Sequence, residues 1–175
     1  MPSTADVFQA ASLALTRSLD LETVLETLLD YLAELVPYDS ANVMLAEDAA
    51  RLSVRAIRGY GDWADPAQVR SIRFDARANP IVDALFRERQ TLVVPDTRHY
   101  PGWQRPPGTE HVLCWMGVPL SAHGQVIGLY SPHKAEPRFF TPEHRRLAES
   151  LAPHEPVAED AAASPTAPGG RERCS

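Results

Sequence analysis

The sequence predicts an α+β fold, an antiparallel sheet with helices packed on it. Three observations point there. Blocks of helical periodicity open and close the ordered part of the chain and interrupt it once in the middle. The strand-like segments come mostly in pairs joined by short polar turns, which is how hairpins read. Those segments alternate apolar and polar residues rather than running fully apolar, as strands of an antiparallel sheet do.

In order along the chain, residues 5–18 ("ADVFQAASLALTRS") predict a first helix with Val7, Phe8, Ala11 and Leu15 on one face. Residues 21–36 predict a second, with Leu21, Val24, Leu25, Leu28, Leu29, Leu32, Leu35 and Val36 at helical spacing, Asp20 as N-cap and Pro37 as its stop. "ANVMLAE" (41–47) and "RLSVRAIRGY" (51–60) read as a hairpin, and "VRSIRF" (69–74) as a third strand. Asn79-Pro80 opens a helix to about Arg89, with Asn as cap and Pro where a missing N–H costs nothing. "TLVVPD" (91–96) is a short strand. Residues 97–109 ("TRHYPGWQRPPGT") keep no period and predict a long loop of the kind that carries function. Residues 112–121 and 125–131 form a last hairpin turning at Ala122-His123-Gly124, and Thr141-Pro142-Glu143 starts a final helix to about Ala152. The stretch 153–175 is rich in Pro, Ala and charge and predicts a disordered tail behind a single domain spanning 1–152.

The chain has 175 residues and a net charge of -6, a sign that argues against engaging a phosphate backbone. No apolar run approaches the ~20 residues a membrane helix needs. The N-terminus shows no signal-peptide pattern, and the two cysteines, Cys114 and Cys174, make no disulfide framework, so a cytoplasmic protein is expected.

The stretch from Cys114 to Ala152 resembles the C-terminal half of a GAF domain. Gly117-Val118-Pro119-Leu120, a turn with Gly124, Val126-Ile127-Gly128 and Phe140-Thr141-Pro142-Glu143 stand in the family's order. Residues 18–45 resemble the family's opening helix and first strand, and "LVVPDT" (92–97) its short apolar strand ending in Asp. The resemblance covers roughly residues 8–152. It implies a GAF/PAS-like antiparallel sheet with helices on one face and a loop-helix pocket on the other. It also implies a sensory or regulatory role, a small ligand held between the sheet and residues 75–111, and a homodimer or a signalling partner reached through the helices. No output module follows, so a stand-alone protein and a remnant of a longer sensor kinase both stay open. The ligand and any cofactor stay unassigned.

Specific chemistries of the resembled family were sought in the residues. Reductases of this fold that act on free methionine-R-sulfoxide use cysteines in the pocket region, and residues 60–113 hold none. Cys114 is then either a reactive thiol or a small strand residue that only packs, and the second fits its setting better. Met116-Gly117-Val118 matches a bilin-binding pattern, but Gly108 and Thr109 stand where its Cys-His pair belongs. A cyclic-nucleotide signature is not found. His111 and Cys114 lie three apart, on opposite faces of a strand, and predict no shared metal. Arg51, Arg55, Arg58, Arg70, Arg73 and Arg77 could face an anion, though they suit a charged sheet edge better. Parity puts Cys114, Met116, Val118 and Leu120 toward the helices and Trp115, Gly117, Pro119 and Ser121 toward the pocket, with the small residues leaving room beneath a ligand. The ligand-binding candidates are Trp103, Tyr100, His111, Trp115, Ser121 and His133; no catalytic or metal-ligating residue is assigned. The expected function is a small-molecule-binding regulatory module. The alternatives are a thiol redox enzyme using Cys114 and a ligand-free dimerisation module.

Overall fold

The computed structural model describes residues 21–152; the expected first helix, the Asp20 cap and the tail from 153 lie outside them. Helix α1 (Leu21–Leu35) buries Leu21, Leu25, Leu28, Leu29 and Leu32 along one stripe. Strands β1 (Ser40–Ala46) and β2 (Arg51–Arg58) pair antiparallel, with a register shift at Val43/Met44. A short helix α2 (Pro66–Arg70), strand β3 (Arg73–Asp75), helix α3 (Pro80–Glu88) and strand β4 (Leu92–Val94) follow. The last hairpin is β5 (Cys114–Ala122) and β6 (Gln125–Lys134), and helix α4 (Pro142–Glu149) ends the described chain. The six strands form one antiparallel sheet in the order β3-β2-β1-β6-β5-β4.

The sheet is covered on both faces. On one, α1 and α4 bury their leucines and Ala148 against Val43, Met116, Val118, Leu120 and Tyr130. On the other, α2, α3 and the loop after β4 pack on Met44, Leu52, Trp115 and Leu129. Two-sided burial is why β1 and β5 are buried at successive positions and not at alternate ones.

Two expectations are corrected. Residues 69–74 do not form a strand. Asp65 caps a helical turn by accepting from the Ala67 N–H, with Pro66 in the first turn, and only Arg73–Asp75 pairs with β2. The same cap-then-proline device opens α3 at Asn79-Pro80 and α4 at Thr141-Pro142, as expected at those two sites. The second correction concerns Pro132. A proline there predicts a strand end or a sheet edge, yet β6 continues to Lys134 as a central strand between β1 and β5. The ladder with β5 pairs Trp115 with His133 and then Val118 with Tyr130, skipping Met116 and Gly117. Those are the positions whose pairing would draw on the N–H that proline lacks, so the sheet leaves out the bonds and keeps the strand. The hairpin itself turns on His123 and Gly124, both at positive φ, the two-residue geometry whose twist matches the strands.

Candidate functional site

A pocket lies between the sheet and the α2–α3–loop layer. Its walls are Met44, Ile72, Phe74, Ile81, Val82, Val112, Trp115 and Leu129; Trp103, Gln104, Pro106 and Thr109 of the loop close one side; Asn42, Tyr60, Asn79 and His133 supply further polar groups. The space between these side chains is about 550 Å³ counting its open mouth, and the centre of a water molecule can move through about 50 Å³ of it. No lining residue is Asp, Glu, Lys or Arg.

Strand parity builds the polar floor. Ser40, Asn42 and Met44 alternate along β1, and Leu129, Ser131 and His133 along β6. The register sets Ser40 opposite His133, Asn42 opposite Ser131 and Met44 opposite Leu129. The four polar side chains are buried and bonded to one another. His133 Nδ1 lies 2.9 Å from Ser40 Oγ and 3.3 Å from the Tyr60 hydroxyl, and its Nε2 lies 2.9 Å from Ser131 Oγ. Ser131 Oγ donates to Asn42 Oδ1 at 3.0 Å, and Asn42 Nδ2 donates to the Tyr60 oxygen at 3.1 Å. Burial pushes the His133 pKa down to about 3, aided by the nearby His111, so the ring is neutral at pH 7. Burial likewise pushes the Tyr60 phenol up to about 12.

The network reaches the surface through His111, whose Nε2 lies 2.8 Å from Ser40 Oγ. The His111 ring stacks on the exposed Trp63 at 4.6 Å between centroids. Burial lowers the His111 pKa, while Asp39 and Glu110 pull it the other way.

The loop is tied down at both ends. Arg105 donates to the Thr97 hydroxyl at 2.8 Å and to the Glu110 and Val112 carbonyls. Gln104 accepts from Asn79 and donates to the Ala78 carbonyl, both at 3.3 Å, on the start of α3. Gly102, at φ 85, rests on the Pro80 ring, where a Cβ would come within 2.9 Å. These ties hold Trp103 edge-on to Trp115, with centroids 5.6 Å apart. The Trp103 indole Nε1 is buried and has no hydrogen-bond partner.

Of the expected ligand-binding residues, Trp103, Trp115 and His133 line the pocket. His111 stands two hydrogen bonds behind it, through Ser40 to His133. Tyr100 packs on the outside of the same apolar cluster and does not line the pocket. Ser121 is corrected: it sits at the register shift near the hairpin turn, at the opposite end of β5 from His133. The room expected above Gly117 is also corrected, because the Trp115 indole lies there, 2.2 Å from where a Cβ would be. Parity agrees with the clusters at four positions of β5, with Met116, Val118 and Leu120 on the helix side and Trp115 on the pocket side. Cys114 is fully buried and not part of the lining. The arginines of β2, α2 and β3 do not line the pocket either; Arg58 and Arg70 pair with Glu26 of α1, and Arg73 with Glu47. Among the described residues no group of three or more His, Cys, Asp or Glu could hold a metal ion, and no helix is long and apolar enough to cross a membrane. Sequence reasoning passed over Ser40, Asn42, Tyr60 and Ser131. For Ser40, Asn42 and Ser131 the signal was present as polar residues two apart in otherwise apolar strands; Tyr60, in the turn after β2, carried none.

The family model described as GAF domain matches residues 18–154. The chain belongs to the GAF family. Solved GAF structures share the fold. One is the GAF domain of a phosphoenolpyruvate-protein phosphotransferase from Acinetobacter (TM-score 0.64, 16% identity, 93% of this chain and 98% of that one). Another is a GAF domain/HD domain protein from Geobacter sulfurreducens (TM-score 0.61, 22% identity, 75% and 89%). A type II free methionine-R-sulfoxide reductase from Thermoplasma acidophilum is as similar (TM-score 0.62, 17% identity, 85% and 91%). At these identities the likeness speaks for the fold alone. No curated protein matches the chain.

Proposed function

We propose that this GAF domain is a cytoplasmic sensory or regulatory module. It binds a small molecule between the sheet and the 75–111 segment and passes the bound state through α1 and α4 to a second copy or a signalling partner. The observation that carries this reading is the double use of β6. Ser131 and His133 belong to the pocket's polar floor, while Tyr130, the neighbour of Ser131, faces the other way and donates its hydroxyl to the Ala148 carbonyl of α4 at 2.5 Å. A ligand that shifts the floor therefore acts on the strand that also holds α4. The response is differential affinity for two arrangements of that helix layer. The reading contains no catalytic step. Cys114 is buried and lies outside the pocket lining, which supports a packing role over a reactive one.

The test is to incubate the purified protein with a small-molecule cell extract, then record native mass spectra, an absorption spectrum and amide exchange. A retained molecule together with altered exchange in α1 and α4 supports the module. No retained molecule and unchanged exchange sinks it. Turnover of methionine sulfoxide that Cys114→Ser abolishes would replace it with the redox enzyme.

A further inference from the structure

The hydrogen bonds of the floor can be assigned proton by proton. Ser131 has one proton and gives it to Asn42 Oδ1, so its oxygen accepts from His133 Nε2–H. The neutral imidazole then has a bare Nδ1, whose single lone pair takes the nearer donor, Ser40 O–H at 2.9 Å. With its one proton given to His133, Ser40 Oγ can only accept from His111, which this scheme makes the Nε2–H tautomer. In this scheme the Tyr60 hydroxyl, 3.3 Å from the same Nδ1, keeps its proton for another acceptor, as does the second N–H of Asn42. Trp103 Nε1–H is a third such donor. The amide acceptors nearby are already engaged. Asn79 Oδ1 caps α3 by accepting from Ile81 and Val82, and Gln104 Oε1 accepts from Asn79. Tyr60, Asn42 and Trp103 thus leave three spare donors against one spare side-chain acceptor, the Thr109 oxygen, whose proton goes to the Pro106 carbonyl, all among apolar and aromatic walls without a charged side chain.

Resting on the small-molecule reading above, we propose that the pocket takes an uncharged, ring-sized, largely apolar molecule bearing a hydrogen-bond acceptor, such as an aryl ketone or a neutral azaheterocycle. Tyr60 and Asn42 meet the acceptor, and Trp103 donates once the loop re-seats around the ligand. An anion is rejected because nothing in the lining would neutralise it, and a buried unpaired charge is far more costly than a buried neutral acceptor. The two indoles give a ring its edge and face contacts.

Calorimetric titration of the full chain with three probes of matched size and shape tests this: acetophenone, α-methylstyrene and benzoate. Acetophenone should bind about 10-fold more tightly than α-methylstyrene, the worth of one net hydrogen bond, and benzoate should bind more weakly than both. Tyr60→Phe should bring acetophenone down toward α-methylstyrene. Trp103→Phe, on the loop and outside the core strands, keeps an aromatic ring beside Trp115 and should narrow the same gap. Equal binding of acetophenone and α-methylstyrene, or preferred binding of benzoate, overturns the ligand class while leaving a ligand-binding module. If none of the three binds, the class is overturned too, and retention of a molecule from cell extract then decides the module separately.

Discussion

Gly117 carries the tightest constraint on the pocket's shape. Its missing side chain is the space into which the Trp115 indole folds, with Leu85 of α3 closing in from beyond at 2.9 Å from the position of an added Cβ. Alanine there cannot be absorbed by backbone change, because Gly117 has ordinary φ and the obstacle is a ring and a core leucine. The ring must move instead, and the free direction is the pocket. Gly117→Ala is expected to lose about 1–3 kcal/mol of stability, in the range of core overpacking. It should also change the tryptophan emission and weaken acetophenone binding at least several-fold. An unchanged emission spectrum with full affinity would show that the ring does not sit over Gly117. At this scale strand parity alone separated Trp115 from Met116 correctly. Parity says which face a side chain leaves from and nothing about where a large ring then folds, so the space over Gly117 was misassigned.

At the scale of elements, the loop and α3 act as one unit hinged on Asn79. Its side-chain oxygen accepts from the N–H groups of Ile81 and Val82, and its amide nitrogen holds Gln104. Asn79→Ala removes a helix cap, a loss of about 1 kcal/mol, and releases the loop that carries Trp103. Hydrogen exchange should rise in α3 and in residues 97–111 while α1 and α4 stay protected; a rise confined to α3 would show that the loop is held elsewhere, chiefly by Arg105. Most elements were legible because each sequence signal had one local cause: leucine spacing for α1, a capping residue and proline for α3 and α4, alternation for the hairpins. The misreadings came where a signal was read one-sidedly. Asp65-Pro66 is the same opening signal as Asn79-Pro80, but the helix it starts is only five residues long and runs into the stretch that reads as a strand. Pro132 was read as a strand end because sequence cannot show that the neighbouring strand would leave two positions unpaired. The polar floor was missed for a related reason. Ser40, Asn42, Ser131 and His133 each read as an ordinary polar residue until the β1–β6 register sets them side by side.

For the molecule as a whole, the buried floor ties folding to pH. His133 is fully enclosed, and its folded pKa is pushed down to about 3 by burial and by His111, against about 6.5 in the unfolded chain. A histidine kept neutral by folding favours the native state above the unfolded value. As pH falls below about 6.5 the unfolded chain takes up a proton that the folded chain refuses, and stability drops until the folded pKa is reached. The slope is about 1.4 kcal/mol per pH unit for one such proton. His111, lowered by its own partial burial, acts in the same direction and begins to act near the same pH. Carboxylates also weaken the fold in acid, so the pH dependence of the wild type alone does not isolate the histidine. The difference between wild type and His133→Gln does. Glutamine offers one donor and one acceptor to Ser131 and Ser40 and has no proton to take up. Urea denaturation at several pH values between about 7 and 4 should show the variant less stable near pH 7, where it loses the fitted ring. The gap should close by about 1.4 kcal/mol per unit on going down in pH. A gap that stays constant across that range would mean that His133 takes up its proton in the folded protein at the same pH as in the unfolded chain, and the proton assignment of the whole floor, with its spare donors toward the pocket, would fall with it.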